Sequence, residues 1–188
     1  SGGGDWYCDP SSLPNLIKYL KTNTPMTKVG KEIKIKLTDN NAKHFPYLYI
    51  TGHGNIKFSE NEIIELRSIL NNGGFLHADD TYGMDKSFRR EIKKVFPENE
   101  LIQLPNNHPI FYGKFNFPNV LHKIHEHNAN PSQALAIIED GRILCLYTFE
   151  SDIGDGWEDQ EVHNDSEYIR RQALQMGSNI IEYVFSNN

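Results

Sequence analysis

From residue 47 to residue 97 the chain runs through an apolar stretch, a glycine turn, an amphipathic helix, a second glycine turn and a second apolar stretch. The two apolar stretches are "YLYIT" and "GFLHADD". A connection of this length cannot close a hairpin, so it predicts a β-α-β crossover with the two strands parallel. Ser59 and Glu62 have capping-box spacing, Ile63, Leu66 and Leu70 share one helical face, and Gly73 follows the helix end. The second strand turns directly into another helix from Asp85, where Phe88, Ile92 and Val95 recur at helical spacing before Pro97. Strands and helices alternating in this way predict an α/β domain, a three-layer α/β/α sandwich around a mainly parallel sheet.

The flanking segments extend the pattern. Ser12 as cap and Pro14 in the first turn start a helix carrying Leu16, Ile17 and Leu20. "KEIKIKLT" alternates with period two and predicts a half-buried strand, "ELIQL" a short one, and "ALAIIEDGRILCLYTFE" a β-hairpin turning at Asp140 and Gly141. Residues 104–131, rich in Pro, Asn and His, predict a long irregular excursion over the sheet. A last helix opens at Asp165 and sets Ile169, Ala173, Met176, Ile180 and Val184 towards the core. At 188 residues, with no repeat or linker, residues 1–188 read as one domain.

Charge narrows the partners. Residues 150–165, "ESDIGDGWEDQEVHND", hold seven of the 25 acidic residues and no Lys or Arg, leaving 18 acidic against 19 basic residues elsewhere. No broad basic face is left for nucleic acid, and a cation is favoured beside that segment. No apolar run approaches the roughly 18 residues of a membrane span. Cys8 and Cys145 are too far apart in sequence for a zinc ribbon or redox pair, and Cys145 falls within an apolar strand.

In an open α/β sheet, ligands bind beyond the carboxyl ends of the strands. That rule selects the turn at Thr51–Asn55, the turn at His77–Asp85 and the loop after Glu150. His77 and Asp79 share one strand face, a carboxylate and an imidazole that can ligate a divalent metal or act as an acid and base pair. His53 sits between two glycines able to aim amides at an anion. Each has a plainer reading: a helix cap for Asp80 or Asp85, a hydrogen-bonded core histidine for His77, a tight turn around His53. His108, His122, His125 and His127 fall in the irregular excursion, where a helix over 122–127 would set His122 and His125 on one face. "SDIGDGWED" does not match an EF-hand and reads first as a solvated acidic loop over Trp157, or else as a wall for a polar ligand. Asp5, Trp6 and Tyr7 anchor the N-terminal end or line a cleft.

Five stretches, "GGGDWYCDPSSLPNL", "YITGHGNIKFS", "GGFLHADDTYGMDKSFRREIKKVFP", "HPIF" and "GRILCLYTFESDIGDGWED", resemble the bacterial domain of unknown function family 4159, which is similar to the class I glutamine amidotransferase-like group. The resemblance implies a flavodoxin-like fold, a further strand upstream of the glycine run, bacterial origin and an extracytoplasmic place, periplasmic or envelope-associated, with a cytoplasmic one still open. The amidotransferase comparison puts a nucleophilic Cys where this chain has "HADDTYG", so that reaction is not expected.

These readings lead to a domain that binds a small polar ligand at the carboxyl edge of the sheet. The expected ligand-binding residues are His53, Asp80, Tyr82, His108, Asp152, Asp155 and Trp157. The alternatives are a metal- or carboxylate-dependent hydrolase using Asp79 with His53 or His77, in which His77 and Asp79 would hold a divalent metal, and a scaffold in an envelope complex.

Overall fold

The computed structural model describes residues 3–5, 8–26, 28–119, 121–127 and 129–186. Trp6 and Tyr7 lie outside them. Strands β1 (Gly4–Asp5), β2 (Tyr47–Gly54), β3 (Phe75–Asp80), β4 (Ile102–Gln103), β5 (Gln133–Glu139) and β6 (Arg142–Phe149) form one sheet in the order β1-β2-β3-β6-β5-β4. The helices are α1 (Ser12–Asn23), α2 (Glu60–Asn71), α3 (Asp85–Val95), α4 (Gln160–His163) and α5 (Glu167–Ser186).

The crossover from β2 through α2 to β3 is parallel, with Tyr47 opposite Phe75 and Gly52 opposite Asp80. β3 also runs parallel to β6. The other three pairings, β1 with β2, β6 with β5 and β5 with β4, are antiparallel. The sheet is therefore mixed, which overturns the expected flavodoxin-like three-layer sandwich with a mainly parallel sheet. The physical cause is the two-residue turn at Asp140 and Gly141, both at positive φ, which forces β5 and β6 antiparallel. The hairpin then inserts its second strand beside β3. Two-residue strands at both edges return antiparallel.

Local signals explain the helices. The Ser59 hydroxyl accepts from Glu62 N at 3.3 Å and the Glu62 carboxylate accepts from Ser59 N at 2.7 Å, so the capping box starts α2. Phe88, Ile92 and Val95 on α3 are buried with Leu66, Ile69 and Leu70 on α2 against Leu76, Ala78 and Tyr147. A second cluster joins Leu16 and Leu20 of α1, Met176, Ile180 and Val184 of α5, Phe75, Leu146 and Trp157.

Three local expectations change. Residues 31–38 form no strand: Lys31, Lys34 and Lys36 leave only Ile35 and Leu37 packed against the α2 and α3 cluster, while Ile33 is exposed. Residues 121–127 are not helical, so His122 and His125 do not share a helix face. The acidic loop is not solvated, since every residue from Ser151 to Glu158 is buried. Cys8 and Cys145 are not joined by a disulfide. No helix among the described residues is long and apolar enough to cross a membrane.

Candidate functional site

All six residues of β3 are buried, because the strand lies between two parallel neighbours with helices against both faces. Alternation sends His77 and Asp79 towards Trp157 and sends Asp80 towards α3. His77 is fully buried, with Nδ1 2.8 Å from Tyr47 OH and Nε2 3.1 Å from Thr148 Oγ1. Burial holds its pKa down to about 3, so the ring is neutral, accepting from the tyrosine and donating to the threonine.

Thr148 Oγ1 in turn donates to Asp79 Oδ1. Asp79 also accepts from Ile153 N at 3.4 Å on Oδ1, from Gly154 N at 2.7 Å on Oδ2 and from Tyr49 OH at 3.4 Å on Oδ2. Both oxygens are thus occupied by protein donors and the side chain is fully buried. Burial pushes its pKa up to about 7; the Thr148 and Gly154 bonds oppose this, and the charges of Asp155 and Asp9 add to it. Asp79 is placed to hold the 151–158 loop on the end of the strand. A nucleophile needs a free, approachable oxygen, which this arrangement does not offer.

The loop so held carries Asp152 and Asp155. Asp152 is 1 % exposed, yet neither carboxylate oxygen accepts a hydrogen bond among the described residues. His127 Nε2 lies 2.8 Å from Asp152 Oδ2, without hydrogen-bond alignment. Burial, then the charges of Asp79 and Asp155, raise the Asp152 pKa to about 9. Asp155 Oδ2 sits 2.9 Å from His125 Nδ1 and 3.7 Å from His163 Nε2, while His125 Nε2 meets Asp165 at 3.2 Å. The Asp155 hydrogen bond above all raises His125 to about 9.

Asp9 enters from the N-terminal side, its Oδ2 3.3 Å from Thr51 Oγ1. Burial, with Asp155 and Glu158 nearby, lifts it to about 7. The segment that carries it is stitched to the acidic loop by Ser11 N to Glu158 Oε1 at 2.7 Å and Asn15 Nδ2 to Trp157 O at 2.9 Å.

The remaining expected residues spread out. Tyr82 is 52 % exposed at φ +86° and stacks on His127 with ring centroids 5.0 Å apart. Asp80 faces the start of α3, bonded to Met84 N and near Tyr147 OH, with Oδ1 unpartnered among the described residues. Trp157 is a core residue whose Nε1 donates to Ala173 O at 2.9 Å. His53 is exposed and makes none of Asp79's bonds. His108 caps a 3-10 turn and packs on Tyr183, a residue that senses Arg142 at the far end of β6.

Sequence reasoning missed His163, Asp165 and Asp9. The available signal was the coincidence of a histidine-rich excursion with an acidic segment free of Lys and Arg. Two surface grooves among the described residues, about 530 Å³ beside Ile17 and Lys31 and about 260 Å³ beside Ile92 and Leu101, lie away from this cluster.

Fold and site together define a mixed-sheet α/β domain with a histidine and carboxylate cluster beyond the carboxyl ends of its central strands. The chain belongs to the DUF4159 family, a domain of unknown function, whose sequence profile matches residues 1–185. The match does not extend to the glutamine amidotransferase-like group. No curated protein matches the chain with significant similarity.

Proposed function

We propose that this domain binds a small polar ligand, neutral or cationic, at the carboxyl edge of the sheet between Tyr82, His127 and the acidic loop. One observation carries the reading. Among the described residues, the buried side-chain atoms left without a hydrogen-bond partner are Asp80 Oδ1, Thr81 Oγ1 and both oxygens of Asp152, all at this edge. Orphaned buried polar atoms are costly, and folded proteins keep few of them without a use.

Backbone strain supports the same place. Six described non-glycine residues have positive φ, and four of them, Asp9, Tyr82, Glu150 and Asp152, border the cluster. Such strain, costing on the order of 1–3 kcal/mol each, gathers at ligand sites. Six carboxylates, those of Asp9, Asp79, Asp80, Asp152, Asp155 and Asp165, disfavour an anion. The Tyr82 ring offers an exposed face of the kind that stacks on a sugar or a cation.

The test is thermal stabilisation by glucose, xylose, N-acetylglucosamine, myo-inositol and putrescine, each compared between the native chain and Tyr82→Ala. At 100 times its dissociation constant a ligand stabilises by about 2.7 kcal/mol, an easily read shift. A saturable shift that Tyr82→Ala abolishes supports the reading; no shift with any of the five, or the same shift in the variant, overturns it.

A further inference from the structure

We infer that His125, His127 and Asp152 hold one divalent transition-metal ion of the zinc class at this edge, with Asp155 and His163 as further donors. Such a metal site goes beyond the polar-ligand reading and stands without it.

The first support is geometric. One ligand atom from each of His125, His127 and Asp152 lies within 4.8 Å of the others, and the same holds for His125, Asp155 and His163. Ligands about 2.0–2.1 Å from a tetrahedral ion lie roughly 3.3 Å apart, so a small inward movement of partly exposed imidazoles closes either set. His125 belongs to both sets. In the metal-free protein both ring nitrogens donate, Nε2 to Asp165 at 3.2 Å and Nδ1 to Asp155 at 2.9 Å; a metal ion would take the place of the Nδ1 proton and leave the Asp165 bond intact. A carboxylate on the distal nitrogen is how metal-bound imidazoles are usually oriented.

The second support is the state of Asp152, whose Oδ2 lies 2.8 Å from His127 Nε2 without hydrogen-bond alignment. Asp152 is buried to 1 % exposure with no hydrogen bond to either oxygen among the described residues, and its backbone is held at φ +51°. An ionised carboxylate in that state carries a desolvation cost of several kcal/mol that a cation offsets. Its placement is also secured from below: Gly154, two residues on, donates to Asp79 on the end of β3. The strand end thus presents the loop in one position.

Donor chemistry chooses the ion. Imidazoles with carboxylates suit zinc, cobalt, nickel or iron, whereas calcium and magnesium require oxygen ligands throughout. The sequence around Asp152 and Asp155 suggests calcium only until His125, His127 and His163 are seen to converge on it.

The experiment is calorimetric titration of the chelator-treated chain with Zn²⁺ alone, repeated with Ca²⁺, and with Co²⁺ read by its visible absorption. The expected result is one Zn²⁺ per chain, a Co²⁺ spectrum of low coordination number, and little binding of Ca²⁺. Asp152→Asn and His127→Ala should each weaken Zn²⁺ by more than the ~10–100-fold that losing an outer partner costs, while exposed His122→Ala leaves it unchanged. Asp152→Asn should keep or raise the melting temperature of the metal-free protein, which a merely structural carboxylate would not do. Absence of stoichiometric Zn²⁺ binding, or binding unaltered in both variants, overturns the inference. Because the probe is the metal alone, that failure leaves the polar-ligand reading to its own titrations.

Discussion

Asp79 Oδ2 accepts a hydrogen bond from Gly154 N at 2.7 Å, and this contact ties the end of the central strand to the loop that bears Asp152 and Asp155. A residue 75 positions away in sequence fixes where two acidic side chains stand. Asp79→Asn keeps the shape but turns one acceptor into a donor facing protein donors. The expected cost is about 1–3 kcal/mol near neutral pH, read as a lower urea midpoint at unchanged slope, with faster exchange of the Gly154 amide. The clamp is refuted if that amide exchanges as slowly in the variant as in the native chain.

Two glycines test packing around this loop without any backbone argument, because Gly154 has φ −63° and Gly177 lies inside α5. A Cβ on Gly154 would press into the Tyr49 hydroxyl and lie 3.0 Å from Asp79 Oδ2. A Cβ on Gly177 would stand 2.8 Å from both Leu16 Cδ1 and Trp157 Cζ2. Glycine to alanine within a helix normally gains roughly 0.5–1 kcal/mol. Here Gly177→Ala should lose about 1–3 kcal/mol instead, the range for overpacking a core. Gly154→Ala should likewise destabilise and should weaken Zn²⁺ binding as well, whereas Gly177→Ala leaves the metal affinity nearly intact; equal effects on affinity would contradict the assignment.

Ser59→Ala removes one half of the capping box while leaving α2 packed. A loss of about 1 kcal/mol is expected from the cap alone. The midpoint of denaturant unfolding measures it, and Ser59→Asp should restore most of the loss, since a carboxylate at that position also accepts from the Glu62 amide. A variant as stable as the native chain would show that the cap contributes nothing here.

How legible the molecule was in its sequence follows from the range of each signal. The capping box, the apolar face of α3 and the hairpin turn at Asp140 and Gly141 depend on neighbours within a few residues, and each could be read directly. Strand order could not: nothing in "RILCLYTF" says that it pairs with β3 on one side and its hairpin partner on the other. The period-two pattern of residues 31–38 misled because alternation measures one apolar face, and three lysines left too little of it to bury. For the site, the strand-end rule located Asp79, Asp152 and Asp155 but said nothing of their partners. His125 comes from the irregular excursion and His163 and Asp165 from the end of α4 and its link to α5, and only the tertiary fold brings the two segments together.

His77 carries a pH prediction whose sign can be worked out. An imidazole in water has a pKa of 6.5 and the buried His77 one of about 3, so below pH 6.5 the unfolded chain takes up a proton that the folded chain refuses. Stability on this account is highest above pH 6.5 and falls as the pH drops towards 3, by about 1.4 kcal/mol for each unit of pKa difference traversed. Asp79 acts oppositely over much of the same window. Its pKa is raised from 3.8 to about 7, so its contribution is fully present below pH 3.8 and is lost as pH rises through 7. The native profile alone therefore mixes two slopes that partly cancel, and a difference experiment separates them. In His77→Gln the imidazole slope disappears while that of Asp79 stays, so the melting temperature of the native chain minus that of the variant should rise from about pH 4 to pH 6.5 and be flat from about 7 to 8. In Asp79→Asn the same difference should fall from about pH 4 to pH 7. A flat His77→Gln difference across that acidic range would mean that the ring is protonated in the fold, which would contradict its role as acceptor from Tyr47 and donor to Thr148.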